Sequence, residues 1–109
     1  METMIETKRD AIADLCRRHR VHKLELFGSA ARGRFDPETS DLDFLVEFDA
    51  IPPSEHAHRY FSLLFALTDL FGCDVDLVET GAIRNPYFRR AIATDRVLLY
   101  AARGAKAPV

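Results

Sequence analysis

The chain has 109 residues, of which 48% are hydrophobic and 29% are charged. This balance is typical of one globular domain and excludes an intrinsically disordered chain, which would lack the apolar surface needed to form a core. The net charge of -2 and the pI near 6.1 exclude a general electrostatic attraction to nucleic acid or to an anionic membrane, so direct nucleic-acid binding is not expected.

The first half of the chain predicts a helix and two strands. Apolar residues recur at helical spacing over about residues 5–19, and the basic end of this helix suits the negative end of its dipole. Val21–Phe27 reads as a strand that runs into the turn at residues 28–29. A short helical turn is expected at residues 29–34. Asp41–Phe48 then has an apolar residue at every second position, with Leu42, Phe44, Val46 and Phe48 on one face, which predicts the clearest strand of the chain.

The second half predicts a long helix, a strand, a further helix and a last strand. The long helix spans Ser54–Phe71, with Ser54 as a candidate N-cap and Gly72 as its end. Residues 74–79 alternate again as a strand. Asn85-Pro86 has the residues of an N-cap and a first helical position, and residues 96–100 predict a short final strand.

These elements form one predicted domain over residues 1–103, followed by a disordered tail at residues 104–109. No apolar run approaches the ~20 residues that span a bilayer, and the N-terminal sequence lacks the regions of a signal peptide. We therefore expect a cytoplasmic protein without membrane contact. Cys16 and Cys73 have neither metal-ligand spacing nor a disulfide framework, so reduced structural thiols are expected.

The predicted long helix carries more apolar surface than one packed face needs. Its apolar side chains spread over roughly 220°, whereas a one-sided surface helix needs a stripe of about 100°. They are Tyr60, Phe61, Leu63, Leu64, Phe65, Leu67, Leu70 and Phe71. Two explanations stay open: flanking helices bury the surplus within the domain, or part of this helix is a protein interface, self-association included.

The turn at Gly28-Ser29 has the composition of an anion-binding turn. Glycine lets the backbone approach a phosphate closely, and a serine at a helix start offers a hydroxyl beside backbone N–H groups. Taken alone, the dipeptide is equally typical of an ordinary strand-to-helix connection.

Three aspartates are candidate metal ligands. Because side chains alternate along a strand, Asp41 and Asp43 project to the same face and can share divalent cations. Mg²⁺ prefers oxygen ligands and binds through one or two carboxylates plus substrate phosphates. Asp76 is the best candidate for a third carboxylate, with Asp74 on the same face as its rival. The alternative is that these aspartates are solvated residues on the polar face of a sheet.

The ordered string LFGSAARGRFDPETSDLDFLVEF closely resembles the minimal nucleotidyltransferases (MNT) of the DNA polymerase beta superfamily. Their pattern is an apolar residue, Gly-Ser, a spacer, and Asp-x-Asp between apolar residues. The similarity continues through DVDLVE and NPYFRRAI and covers about residues 21–100. The spacer is longer here by about one residue, in the turn at residues 36–39, where an insertion costs little.

The resemblance implies an α/β (α+β) domain, in which helices flank a short mixed β-sheet with the site on one exposed face. It assigns Asp41, Asp43 and Asp76 to catalysis and to Mg²⁺, with two ions expected and with Asp76 helping to take the acceptor proton. It assigns Gly28 and Ser29 to the triphosphate of ATP or another NTP.

The resemblance also implies a partner. Small stand-alone members of this family are similar to the MntA-like antitoxins of HEPN/MNT toxin-antitoxin pairs, which adenylylate a tyrosine of a HEPN-type ribonuclease toxin. A protein adenylyltransferase that moves AMP to a partner toxin is therefore expected. Two alternatives stay open: a non-catalytic antitoxin that neutralises its partner by binding, and a small-molecule nucleotidyltransferase.

Arg32 either contacts phosphate or pairs with a carboxylate of the sheet.

Overall fold

The computed structural model describes residues 6–28, 42–79 and 96–102. In chain order, the elements within these ranges are α1 (Arg9–Arg18), β1 (Val21–Phe27), β2 (Leu42–Phe48), α2 (Pro53–Phe71), β3 (Val75–Glu79) and β4 (Val97–Ala101). The four predicted strands and the two predicted helices within these ranges are confirmed. The predicted helical turn at residues 29–34, the helix opening at residues 85–86 and the tail at residues 104–109 lie outside the described residues.

The four strands form a mixed sheet in the order β3-β2-β1-β4. β1 pairs antiparallel with both β2 and β4, whereas β2 and β3 are parallel. A parallel pair needs a crossover connection, and α2 provides it between β2 and β3. This arrangement confirms the expected fold class, a short mixed sheet with flanking helices.

α1 packs one apolar stripe against the sheet. Ile12, Leu15 and Cys16 are buried, at the i, i+3 and i+4 spacing of a single helical face. Burial also raises the pKa of the Cys16 thiol to about 12, so this cysteine stays protonated and unreactive at physiological pH, as a structural thiol should. The basic last turn contains Arg18, whose guanidinium lies 3.0 Å from the carboxylate of Asp14.

α2 begins one residue earlier than predicted and has a different N-terminus. The N-cap position is Pro52, without a side-chain hydrogen bond, and Pro53 occupies the first helical position. Ser54 is therefore inside the helix, and its predicted role as N-cap is wrong. A proline fits the first turn because the N–H that it lacks would have no partner within the helix. The predicted end at Gly72 is confirmed, with a φ of +67° in the left-handed region.

The main core lies between the two helices and one face of the sheet. Its buried side chains from the sheet are Val21, Leu24, Leu26, Leu42, Phe44, Val46, Leu77 and Leu99, and α2 adds Leu63 and Leu67. The opposite face of the sheet is less exposed to solvent than expected, since Phe27 and Leu45 are buried there.

The broad apolar arc of α2 is only partly covered. Leu63 and Leu67 are fully buried, whereas Phe61 is 52% exposed and Phe65 is 68% exposed. These two aromatic side chains lie one helical turn apart, so they form one exposed apolar strip. Burial within the domain therefore does not account for the whole surplus.

No helix in the described part of the chain is long and apolar enough to cross a membrane.

Candidate active site

Asp43 and Asp76 lie side by side near the start of two neighbouring strands. Each is the second residue of its strand, β2 or β3, and the parallel register pairs them directly. Adjacent strands are roughly 4.8 Å apart, and paired residues project to the same face of a sheet. The fold therefore brings together two of the three predicted carboxylates.

Gly28 follows the last residue of β1 and lies against the carboxylate of Asp43. The register between β1 and β2 places Phe27 opposite Asp43, so the turn begins beside this aspartate. Gly28 has a φ of +77°, and a Cβ built on it would overlap with Oδ2 of Asp43. Glycine is required here both for the left-handed backbone and for the close approach. The backbone of the predicted phosphate turn thus starts directly next to the aspartate pair.

Asp76 and its rival Asp74 differ in their position relative to Asp43. Asp74 precedes β3, and its carbonyl oxygen accepts a hydrogen bond of 3.0 Å from the N–H of Leu42. Asp76, not Asp74, is in register with Asp43. Asp76 is exposed and Asp43 is half-buried, so a ligand can reach the pair from solvent.

The remaining predicted site residues, Ser29 and Asp41, lie outside the described ranges, as does Arg32, and their roles stay predictions. Among the described residues there is no group of three or more His, Cys, Asp or Glu side chains that could hold a metal. Asp43 and Asp76 nevertheless supply the two neighbouring carboxylates through which Mg²⁺ commonly binds when substrate phosphates complete its ligands. The donor set present is therefore compatible with Mg²⁺.

Tyr60 is a residue near the site that the sequence did not identify. Its hydroxyl, on α2, donates a hydrogen bond of 2.5 Å to the carbonyl oxygen of Leu77, the residue after Asp76. Burial raises the pKa of Tyr60, and the negative charges of Asp76 and Glu79 raise it further, so the hydroxyl keeps its proton and remains a donor. The sequence offered one signal, a tyrosine within an apolar helical arc, because a buried tyrosine usually finds a partner for its hydroxyl.

Glu25 is a buried carboxylate on the same face of the sheet. It is 1% exposed, and its Oε1 lies 3.5 Å from Nη1 of Arg96 and 3.9 Å from Nζ of Lys23. Within the described structure, its Oε2 has no hydrogen-bond partner. Glu25 is paired with Leu45, two residues along β2 from Asp43. Two cations compensate its charge, which makes it a structural group rather than a third exposed carboxylate.

A cavity of about 300 Å³ opens at the other end of β2 and β3, away from the aspartate pair. Residues 46–51, His56 and Glu79 line it, and Nε2 of His56 lies 2.7 Å from Oε1 of Glu79. Because Asp43 and Asp76 lie at the opposite ends of the same strands, this cavity is separate from the candidate active site.

Comparison with known sequences identifies the family. The sequence profile described as "Nucleotidyltransferase domain" matches residues 8–99, which is most of the chain. The chain belongs to the nucleotidyltransferase family. A relative from Methanocaldococcus jannaschii, named "Putative protein adenylyltransferase MJ0128", is 38% identical to this nucleotidyltransferase over 105 residues, which cover 89% of this chain and 98% of the relative.

Solved structures agree with this assignment. One similar solved structure is described as "Structure of putative minimal nucleotidyltransferase". Its chain compares with this nucleotidyltransferase at a TM-score of 0.68 and 33% identity, and the match covers 85% of this chain and 93% of that chain. A chain of the structure of a tri-AMPylated Shewanella oneidensis HEPN toxin in complex with MNT antitoxin has a TM-score of 0.61 and covers 91% of this chain and 74% of its own. At 20% identity, this second likeness concerns the fold alone. The resemblance to the minimal nucleotidyltransferases is thereby confirmed.

Proposed function

We propose that this nucleotidyltransferase moves AMP from ATP to a hydroxyl of a partner protein, and that the partner is a HEPN-type toxin which it neutralises as an antitoxin. The observation that carries the proposal is the in-register pair of Asp43 and Asp76 beside the backbone of Gly28. The relative named as a protein adenylyltransferase and the solved complex of an MNT antitoxin with an AMPylated HEPN toxin support a protein as acceptor.

The chemistry assigns a task to each residue of the site. Asp43 and Asp76, together with Asp41, would hold Mg²⁺, which when bound offsets the charge of the triphosphate and lowers the pKa of the acceptor hydroxyl. Asp76 accepts the hydroxyl proton as the hydroxyl oxygen bonds to the α-phosphorus. The bond from the α-phosphorus to the bridging oxygen breaks, and pyrophosphate leaves. Gly28 and Ser29 offer backbone N–H groups to the departing phosphates.

Transfer of label from ATP tests the proposal. The purified protein is incubated with ATP labelled at the α-phosphate, Mg²⁺ and a lysate of cells expressing a HEPN-type toxin. Label on the toxin band, together with loss of its ribonuclease activity, is the expected result. Label on a small molecule would identify a small-molecule nucleotidyltransferase instead. Neutralisation of the toxin without any label would identify an antitoxin that acts by binding alone.

Three substitutions assign the signal to the site. Asp43→Asn and Asp76→Asn are each expected to lower the transfer rate by roughly 100-fold or more, since even the groups that support metal ligands contribute 10–100-fold. Asp74→Asn removes the same charge from the next acidic position before β3 and should retain most of the rate. Transfer that survives in Asp76→Asn but not in Asp74→Asn would assign the third carboxylate to Asp74.

A further inference from the structure

β3, which carries Asp76, is an edge strand of the sheet among the described elements. It pairs with β2 on one side, and an unpaired strand edge leaves backbone N–H and C=O groups without partners. α2 lies next to β3 and makes two side-chain hydrogen bonds with it. One joins Tyr60 to the carbonyl of Leu77, and the other joins His56 to the carboxylate of Glu79.

The direction of the backbone groups along β3 follows from the hydrogen bond at its start. The carbonyl of Asp74 accepts the N–H of Leu42, so the backbone of Asp74 faces β2. Because backbone groups alternate in direction along a strand, the backbone N–H and C=O of Asp76 also face β2, whereas those of Leu77 face away from β2. Tyr60 therefore satisfies the edge carbonyl of the residue directly after Asp76.

We propose that Tyr60 is a positioning residue for Asp76: its hydrogen bond to the Leu77 carbonyl fixes the edge of β3 and thereby the place of Asp76 beside Asp43. Asp76 is then held from both sides, by the ladder with β2 and, one residue further, by α2. The inference rests on the proposed metal site of the nucleotidyltransferase. Tyr60 itself lies on the helix side of the sheet, where its ring packs edge-on against Phe61 with the ring centroids 5.1 Å apart. Because its contact with β3 is the hydrogen bond to the Leu77 carbonyl, it acts on Asp76 through the backbone of β3.

Tyr60→Phe removes the hydroxyl and keeps the ring. We expect its affinity for Mn²⁺, measured by electron paramagnetic resonance with a non-hydrolysable ATP analogue present, to fall roughly tenfold, the lower end of the effect of groups that orient metal ligands. The metal concentration for half-maximal transfer should rise by the same factor. Hydrogen exchange of the Asp76 amide should also become faster, because the edge is released.

His56→Gln is the matched control, since it alters the other hydrogen bond between α2 and β3, at Glu79. It should leave Mn²⁺ affinity and exchange of the Asp76 amide unchanged. An equal loss of Mn²⁺ affinity in both variants would overturn the proposal, because it would show that the packing of α2 on β3 as a whole matters and not the hydrogen bond of Tyr60. Wild-type affinity and exchange in Tyr60→Phe would overturn it outright, as would absence of Mn²⁺ binding by the wild-type protein.

The same titration separates this inference from the proposed function. A wild-type protein that binds Mn²⁺, loses affinity in Tyr60→Phe and labels no protein would support the role of Tyr60 and reject protein adenylylation. A protein that labels its partner and keeps its Mn²⁺ affinity in Tyr60→Phe would support protein adenylylation and reject the role of Tyr60.

Discussion

Gly28 and Gly72 have nearly the same left-handed backbone, with φ values of +77° and +67°, but different surroundings. A Cβ at Gly28 would overlap with the carboxylate of Asp43, whereas a Cβ at Gly72 would meet no atom within 4 Å. Backbone strain on substitution is thus common to both glycines. Of these two substitutions, only the one at Gly28 would also displace a carboxylate of the site, so Gly72 serves as the control for Gly28.

Gly28→Ala and Gly72→Ala are each expected to lower the free energy of unfolding by about 1–2 kcal/mol, because an L residue is strained in this conformation. Only Gly28→Ala should also lower the transfer rate, by roughly 100-fold, since a displacement of about 1 Å in an active site can cost that much. Urea denaturation and the transfer assay measure the two effects. If both variants lost activity equally, the cause would be reduced stability and not the position of Asp43.

α2 combines a buried stripe with an exposed apolar strip. Phe65→Ser is expected to change the free energy of unfolding by less than about 0.5 kcal/mol, as for other surface positions. Leu67→Ala, which empties a fully buried position two residues away, should cost roughly 2–5 kcal/mol. Thermal or urea unfolding of the purified variants measures the difference.

The interface explanation of this strip adds a second expectation for the same variant. Phe65→Ser should weaken binding to the partner toxin or self-association, measured by sedimentation and by titration calorimetry. Unchanged binding in a folded Phe65→Ser protein would contradict the interface explanation. Outright unfolding of that variant would instead show that Phe65 contributes to the core.

The elements were the most predictable part of the fold. The residue patterns located β2, β3 and β4 to within one residue, from alternating apolar residues in β2 and β3 and from strand-forming residues in β4. The N-terminus of α2 was mispredicted because a proline at the first helical position competes with a nearby serine cap. Glu25 was not recognised as buried, since a charge between Leu24 and Leu26 is typical of an exposed strand face.

At the scale of the whole molecule, the site depends on long-range pairing that no local pattern contains. Strand alternation and the family motif selected Asp43 and Asp76, but only the parallel register of β2 and β3 makes them neighbours. Two register irregularities along β1, between Val21 and Lys23 and between Leu24 and Glu25, show why counting residues cannot give the pairing. The contact of Tyr60 with β3 depends in the same way on how α2 packs across the sheet.

The aspartate pair also links the stability of the whole domain to its ligands. Like charges on paired residues of adjacent strands repel, so Asp76→Asn should be at least as stable as the wild type in metal-free buffer, with a gain of about 0.2–1 kcal/mol. With Mg²⁺ and ATP the order should reverse. The wild type gains about 2.7 kcal/mol at a ligand concentration 100 times the Kd, whereas Asp76→Asn, having lost a charged ligand, should gain much less.

Melting curves with and without Mg²⁺ and ATP measure both states, and Asp74→Asn serves as the control that changes the same charge outside the pair. Asp74→Asn should gain as much from the ligands as the wild type does. A structural carboxylate behaves in the opposite way, because its removal leaves a partner unsatisfied and costs about 1–3 kcal/mol. If Asp76→Asn melted well below the wild type without metal and gained equally from Mg²⁺ and ATP, Asp76 would be a structural residue and its assignment to the site would be wrong.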